Sequence, residues 1–191
     1  ARVSVEGAFI SKVERMSRSE WEAAGSKGED MGAENMVVPA FVNSHTHLSL
    51  ACLRGAASKT DFEGNVVEDM FFRFEGNLEP DDVKAFVRMG CWEAMMQGVG
   101  CCYDHYYFAS SLVDAFKETG MSGVVAPTLQ DLEGPGLILP GCGHEEAFQA
   151  TLDIHRDREL RDTHGIVAAF GPHATDTVSG RLWGEVAAAA E

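Results

Sequence analysis

The chain lacks several things, and each absence excludes a class of protein. No apolar run approaches the roughly 18 residues a membrane span needs. No basic segment followed by an apolar one opens the sequence, so no signal peptide is expected. Basic residues are scarce, with 15 Lys and Arg against 30 Asp and Glu and a formal net charge of -15. That balance excludes binding to nucleic acid or to an anionic membrane through bulk electrostatics. The five cysteines (Cys52, Cys91, Cys101, Cys102 and Cys142) form no C-x-x-C pair. An odd, scattered count does not describe a disulfide framework, so a reducing, cytoplasmic setting is expected. The glycine-rich phosphate loop of a doubly wound nucleotide-binding sheet is also missing.

What is present suits a globular domain. At 191 residues, 45% hydrophobic and 24% charged, the chain can bury a sizeable core. Its organising stretch is Met36 to Leu50, where an apolar run (Met36–Val42) leads directly into His45-Thr46-His47. Residues i and i+2 of a strand share a face, so both imidazoles are expected to project together from the end of a buried strand. Neutral imidazole suits zinc and iron. Two ligands make half a site, since zinc takes at least three from the protein.

The rest reads as alternating elements. Residues 1–14 suggest two short strands about a Glu6-Gly7 turn, followed by a polar loop with a short helix near Ser19–Ala24. A strand is expected over 36–44, and a short helix over Val66–Phe74. The Glu79-Pro80-Asp81-Asp82 start predicts a helix running to Gln97-Gly98, with Val83, Phe86, Val87, Gly90, Cys91, Ala94 and Met95 at helical spacing. Strands follow at Val99–Tyr103, Val124–Leu129 and Ile166–Phe170. The helices between and after them are capped by Ser110 or Ser111, run over Glu145–Arg161, and start at Ser179. Apolar strands alternating with helices mean parallel βα units. Polar groups gather after each strand: His45 and His47, Asp104 and His105, Gln130 and Asp131, and His173. A βα barrel builds its site at such strand ends.

The stretch Pro39-Ala40-Phe41-Val42-Asn43-Ser44-His45-Thr46-His47-Leu48, with Leu53-Arg54-Gly55 after it, resembles the amidohydrolase superfamily. The likeness is to its branch of cytosine, guanine and adenosine-type deaminases and triazine chlorohydrolases. Phe74-Glu75 with Leu78, Gly98 to Asp104, and Gly171-Pro172-His173-Ala174 with Thr177-Val178-Ser179 match in order. The resemblance implies an α/β fold. The chain would be the first half, strands 1–4, of a (β/α)8 TIM-type barrel (36–191), preceded by part of a small β-sandwich domain and a linker (1–35). It implies one divalent metal ion, zinc first and iron as the alternative, with His45 and His47 matching its first two ligands. Glu75 and His173 match substrate contacts.

The resemblance implies a further histidine ligand, the acid/base glutamate, another histidine and an aspartate ligand on later strands. Both ends of the chain read as cut, so the catalytic glutamate is expected beyond Glu191 and the chain alone is expected to be inactive. Met70-Phe71-Phe72 stands where the nucleoside-deaminating subset often carries a Trp, which counts against a nucleoside substrate. The implied activity is deamination of a cyclic amidine, nucleobase or related heterocycle by metal-activated water. Hydrolytic dechlorination of a triazine ring, or a non-catalytic metal-binding scaffold, are the alternatives. The implied partner is a small heterocyclic substrate, with no nucleic acid or membrane partner and with homo-oligomerisation left open.

Plainer roles are expected elsewhere. Ser49-Leu50 stand where a metallo-β-lactamase motif needs Asp-His, which excludes that pattern. Asp104 and His105 are read first as structural hydrogen-bonding groups, and His155 and the Met89–Met96 segment as helix packing. His144 and His164 fall at helix ends, and Cys101-Cys102 point to opposite faces of a strand.

Overall fold

The computed structural model describes residues 1–25, 28–32, 34–56, 66–132 and 143–191. The chain divides into two compact units, Ala1–Val38 and Pro39–Glu191. In the first, β1 (Arg2–Glu6) and β2 (Phe9–Glu14) pair antiparallel across a turn at Gly7, whose φ of 60° a side chain would disfavour. A short helix, α1 (Arg18–Ala23), is opened by a reciprocal capping box between Ser17 and Glu20.

The second unit holds a parallel sheet. Its strands are β3 (Phe41–Thr46), β4 (Val99–Tyr106), β5 (Ser122–Leu129) and β6 (Ile166–Ala168), adjacent in chain order. A two-residue strand, β7 (Gly171–Pro172), pairs with the far end of β5. The helices are α2 (Arg73–Glu75), α3 (Pro80–Met96), α4 (Ala109–Thr119), α5 (His144–Arg156), α6 (Arg158–His164) and α7 (Gly180–Ala190). A 3-10 turn covers Leu48–Leu53, and a π-helical turn at Val67–Phe72 leads into α2. No helix among the described residues is long and apolar enough to cross a membrane.

Sequence pattern explains most of this. α3 starts with Pro at its first position and a box between Glu79 and Asp82, and buries Val83, Val87, Gly90 and Cys91 along one stripe. α4 buries Leu112, Ala115 and Phe116 and ends at Gly120 in the left-handed region. These stripes meet Cys102, Tyr106, Val125 and Ile166 in the main core. Complete burial of a side chain such as Phe116 stabilises by about 1.5–3 kcal/mol. A second cluster joins Leu129, Ala147, Val178, Leu182 and Val186 at the other end.

Several expectations need correction. The strand expected at 36–44 lies at 41–46, and it is not buried: Phe41 is 63% and Val42 66% exposed. Among the described residues β3 is an edge strand paired to β4 alone, so its outer edge has no partner strand. The helix expected over 145–161 breaks at Asp157, whose carboxylate accepts from Glu159 N and Leu160 N and starts α6 anew. The strand expected at 166–170 is interrupted after Ala168 and resumes at Gly171. Neither Ser110 nor Ser111 caps α4. Phe108 does so at φ 56°, while Ser111 Oγ donates to the Pro80 carbonyl at 2.8 Å and ties α4 to α3. His155 is exposed rather than packed, because α5 buries Ala147, Thr151 and Ile154. Met96 is 69% exposed and Met89 is also exposed, so only part of the Met89–Met96 segment is core.

Candidate active site

The end of β3 departs from simple alternation. Asn43 pairs with Cys102 and Thr46 with Asp104, so β3 carries one more residue than β4 across this interval. Such a bulge re-aims side chains at a strand end. The Asn43 side chain supports it by accepting from His45 N at 3.3 Å. Beyond the bulge the strand stops at Thr46, and His47 leads the 3-10 turn. The two imidazoles still meet edge to face, with ring centroids 5.2 Å apart.

His47 is held from β4. Its Nδ1–H donates to the His105 carbonyl at 2.5 Å, which leaves Nε2 with a free lone pair. A metal-ligating imidazole is commonly oriented in this way. The next amide, Leu48 N, donates to Asp104 Oδ1 at 2.9 Å. On its other side Leu48 lies against α3 at Gly90, where a Cβ would come within 2.6 Å of the Leu48 carbonyl oxygen. Only a glycine fits that crossing.

His105 and His173 extend the cluster. His105 Nε2–H donates to the Gly171 carbonyl at 3.0 Å, and its ring lies 5.7 Å from that of His47 and 6.0 Å from that of His173. His173 follows β7, where its backbone N–H donates to the Leu129 carbonyl. Its Nδ1 is 2.9 Å from Thr177 Oγ1, whose own hydrogen reaches the Ala174 carbonyl at 3.4 Å. Either atom of the His173–Thr177 pair can donate, according to the imidazole tautomer, and the contact fixes the ring in place in both cases. Burial, aided by His47 and the neighbouring His173, pushes His105 down to about 4. Burial also lowers His173.

The acidic residues divide by environment. Glu75 is buried at the end of α2 and accepts from Tyr106 Oη at 2.8 Å. Burial raises its pKa and the Tyr106 hydrogen bond partly offsets that. The Tyr106 ring also lies 6.4 Å from that of His47, so one tyrosine touches both halves of the site. Asp104 is fully buried and burial pushes it up to about 7, against the lowering effect of Leu48 N–H. Asp131 instead accepts from Ser179 N at 2.7 Å and Ser179 Oγ at 2.6 Å, and so serves the start of α7.

The structure thus brings His45, His47 and His173 to one group of strand ends and places Glu75 beside it through Tyr106. Sequence reasoning missed Tyr106, and its only signal was the place two residues beyond Asp104. The thiols of Cys52, Cys91 and Cys102 are raised by burial to about 11, 12 and 11, the setting of packing rather than of reactive groups. Cys142 lies outside the described residues. Among the described residues no group of three or more His, Cys, Asp or Glu side chains is placed to hold a metal. The donor chemistry of His45 and His47, with Nε2 of His47 left open, fits two ligands of such a site.

Comparison with known proteins bears on the family and the fold. The sequence model of the amidohydrolase family matches residues 36–190. A 5'-deoxyadenosine deaminase of Methanothrix thermoacetophila is 35% identical over 178 residues, covering 93% of this chain and 38% of that protein. The crystal structure of an adenosine deaminase from Xanthomonas campestris with bound zinc superposes with a TM-score of 0.63 at 24% identity, covering 80% of this chain and 33% of that one. An atrazine chlorohydrolase mutant from Arthrobacter aurescens, complexed with zinc and atraton, gives 0.62 at 18% identity, over 80% of this chain and 38% of that one. The two structures share the fold. This chain spans well under half the length of these relatives.

Proposed function

The chain belongs to the amidohydrolase family, and from that premise we propose that it carries the opening half of a hydrolytic deaminase acting on an adenosine-like nucleoside or a related cyclic amidine. In this reading residues 36–191 are the first four βα units of a (β/α)8 barrel, and residues 1–35 contribute to a small β-sandwich. The whole protein works in the cytoplasm. The 35% identity to a named 5'-deoxyadenosine deaminase favours a nucleoside over a triazine. It outweighs the departure at Met70-Phe71-Phe72.

One observation carries the reading at the site. His47 commits Nδ1 to a carbonyl and keeps Nε2 open, with the His45 ring 5.2 Å away. A divalent metal held by His45 and His47, zinc or in its place iron, would supply Lewis acidity and lower the pKa of a water from 15.7 to about 7. His173, whose pKa burial lowers and whose Nδ1 is engaged by Thr177, offers Nε2 to a polar group of the heterocycle. Glu75 keeps one oxygen on Tyr106 and offers the other to a polar group of the substrate. The overall change is addition of water at the amino-bearing ring carbon and loss of ammonia, leaving a ring carbonyl. The acid/base glutamate lies past Glu191 in this scheme.

The test uses protein from the uninterrupted reading frame that contains these residues, assayed for ammonia release from 5'-deoxyadenosine and adenosine. Ammonia is the expected product, lost on His47→Asn. Halide release from a chlorotriazine with no ammonia from either nucleoside would replace deamination with dechlorination.

A further inference from the structure

Asp104 and His105 stand at the end of β4, between the two halves of the histidine cluster. They hold the strands on both sides. Toward β3, Asp104 Oδ1 accepts from Leu48 N at 2.9 Å, and the His105 carbonyl accepts from His47 Nδ1 at 2.5 Å. Toward β7, His105 Nε2–H donates to the Gly171 carbonyl at 3.0 Å, two residues before His173. A Cβ on Gly171 would come within 2.7 Å of His105 Cδ2 and of the Pro127 carbonyl, so the sequence keeps this crossing open for the imidazole.

Both side chains sit where they are costly. Asp104 is fully buried, and its Oδ2 has no hydrogen-bond partner among the described residues. An unpartnered buried carboxylate oxygen carries a desolvation penalty with nothing in return. A residue present only to fill the core would be apolar. Among the described residues the one hydrogen bond of the Asp104 side chain goes to the amide directly after His47.

We infer that Asp104 and His105 are positioning residues: Asp104, with the His105 carbonyl, fixes the turn and ring nitrogen of His47, and the His105 imidazole fixes β7 and with it His173. The inference rests on the reading of His47 as a metal-holding histidine and His173 as a substrate contact. Its geometric content is separable from that reading. Neither side chain needs to touch substrate. His47 presents Nε2 because β4 takes its Nδ1–H, and the spacing of His173 from His47 is set by one imidazole lying between them.

The experiment is NMR on the 191-residue chain, reading histidine tautomers by long-range 1H–15N correlation and amide exchange at Leu48. The wild type is expected to show His47 as the Nδ1–H tautomer and a protected Leu48 amide. Asp104→Asn keeps the Oδ1 acceptor and retains both. Asp104→Ala speeds Leu48 exchange by at least about tenfold, relative to β5 amides in the same sample, and mixes the His47 tautomers. On the other side, His105→Gln keeps a donor for the Gly171 carbonyl and leaves the His173 ring signals in place, whereas His105→Phe moves them. Unchanged β5 protection shows that a variant is folded. The inference is overturned if His47 in the wild type is the Nε2–H tautomer. It is also overturned if Asp104→Ala leaves Leu48 and His47 unaltered, or if His105→Gln and His105→Phe shift His173 alike. Predicted tautomers without deamination by the whole protein would sink the functional reading and leave the positioning intact. Deamination with His47 as Nε2–H would do the reverse.

Discussion

Asp104 lies inside β4 near its end and Asp131 two residues past the end of β5, its parallel neighbour, and the protein uses the two in opposite ways. Asp131 is saturated. Ser179 N and Oγ both donate to it and Arg181 lies at 3.5 Å, so its carboxylate is stabilised as an anion. Burial raises its pKa, but those hydrogen bonds lower it further, and the net shift is downward. Among the described residues the Asp104 carboxylate has one backbone donor and no ion pair, and burial drives it up to about 7. Asp131 builds a helix start; Asp104 holds the turn after His47. Sequence position alone made them look alike, and the groups facing them made them different.

The largest expected effect comes from that difference in titration. The folded pKa of Asp104 lies above its unfolded value, so its stabilising contribution is complete below about pH 4 and is lost as pH rises through about 7. Asp131 has the opposite sign: its contribution is present above the unfolded value near 4 and is lost as pH falls. In urea unfolding, Asp104→Asn should gain on the wild type by roughly 2–3 kcal/mol between pH 5 and pH 8. Asp131→Asn should instead flatten the acid limb. Equal slopes for the two variants would erase the distinction.

A smaller effect sharpens the Asp104 side. Gly90→Ala drives a methyl into the Leu48 carbonyl, and overpacking of about 1–3 kcal/mol should exceed the helix-propensity gain of about 1 kcal/mol. A lowered urea midpoint is expected. The smallest effect is on the other side. Asp131→Ala removes support from the Ser179 cap and should cost about 1 kcal/mol, the usual worth of a helix cap, seen as faster amide exchange in α7.

Much of this molecule was legible in its residues. The alternation of apolar strands with capped helices fixed the order of the parallel units, and His-x-His after a Pro-led strand marked the candidate site. What escaped was set by neighbours. The bulge at Ser44–His45 depends on register against β4, which no single strand encodes. The exposure of Phe41 and Val42 follows from β3 lying at a sheet edge, while their apolar character suggested a buried strand. His155 looked like a packing residue by spacing, and the face that α5 buries is offset from it. The tie between Tyr106 and Glu75 joins residues 31 positions apart, out of reach of any local pattern. Residues 57–65 and 133–142 fall outside the described residues.

Zinc binding to the 191-residue chain tests the histidine pair most directly. Equilibrium dialysis followed by elemental analysis should find weak, substoichiometric zinc that disappears in a His45→Asn/His47→Asn double variant, because two imidazoles leave the ion open to water. One zinc held tightly per chain, and retained in the double variant, would contradict the account and place the metal on other ligands.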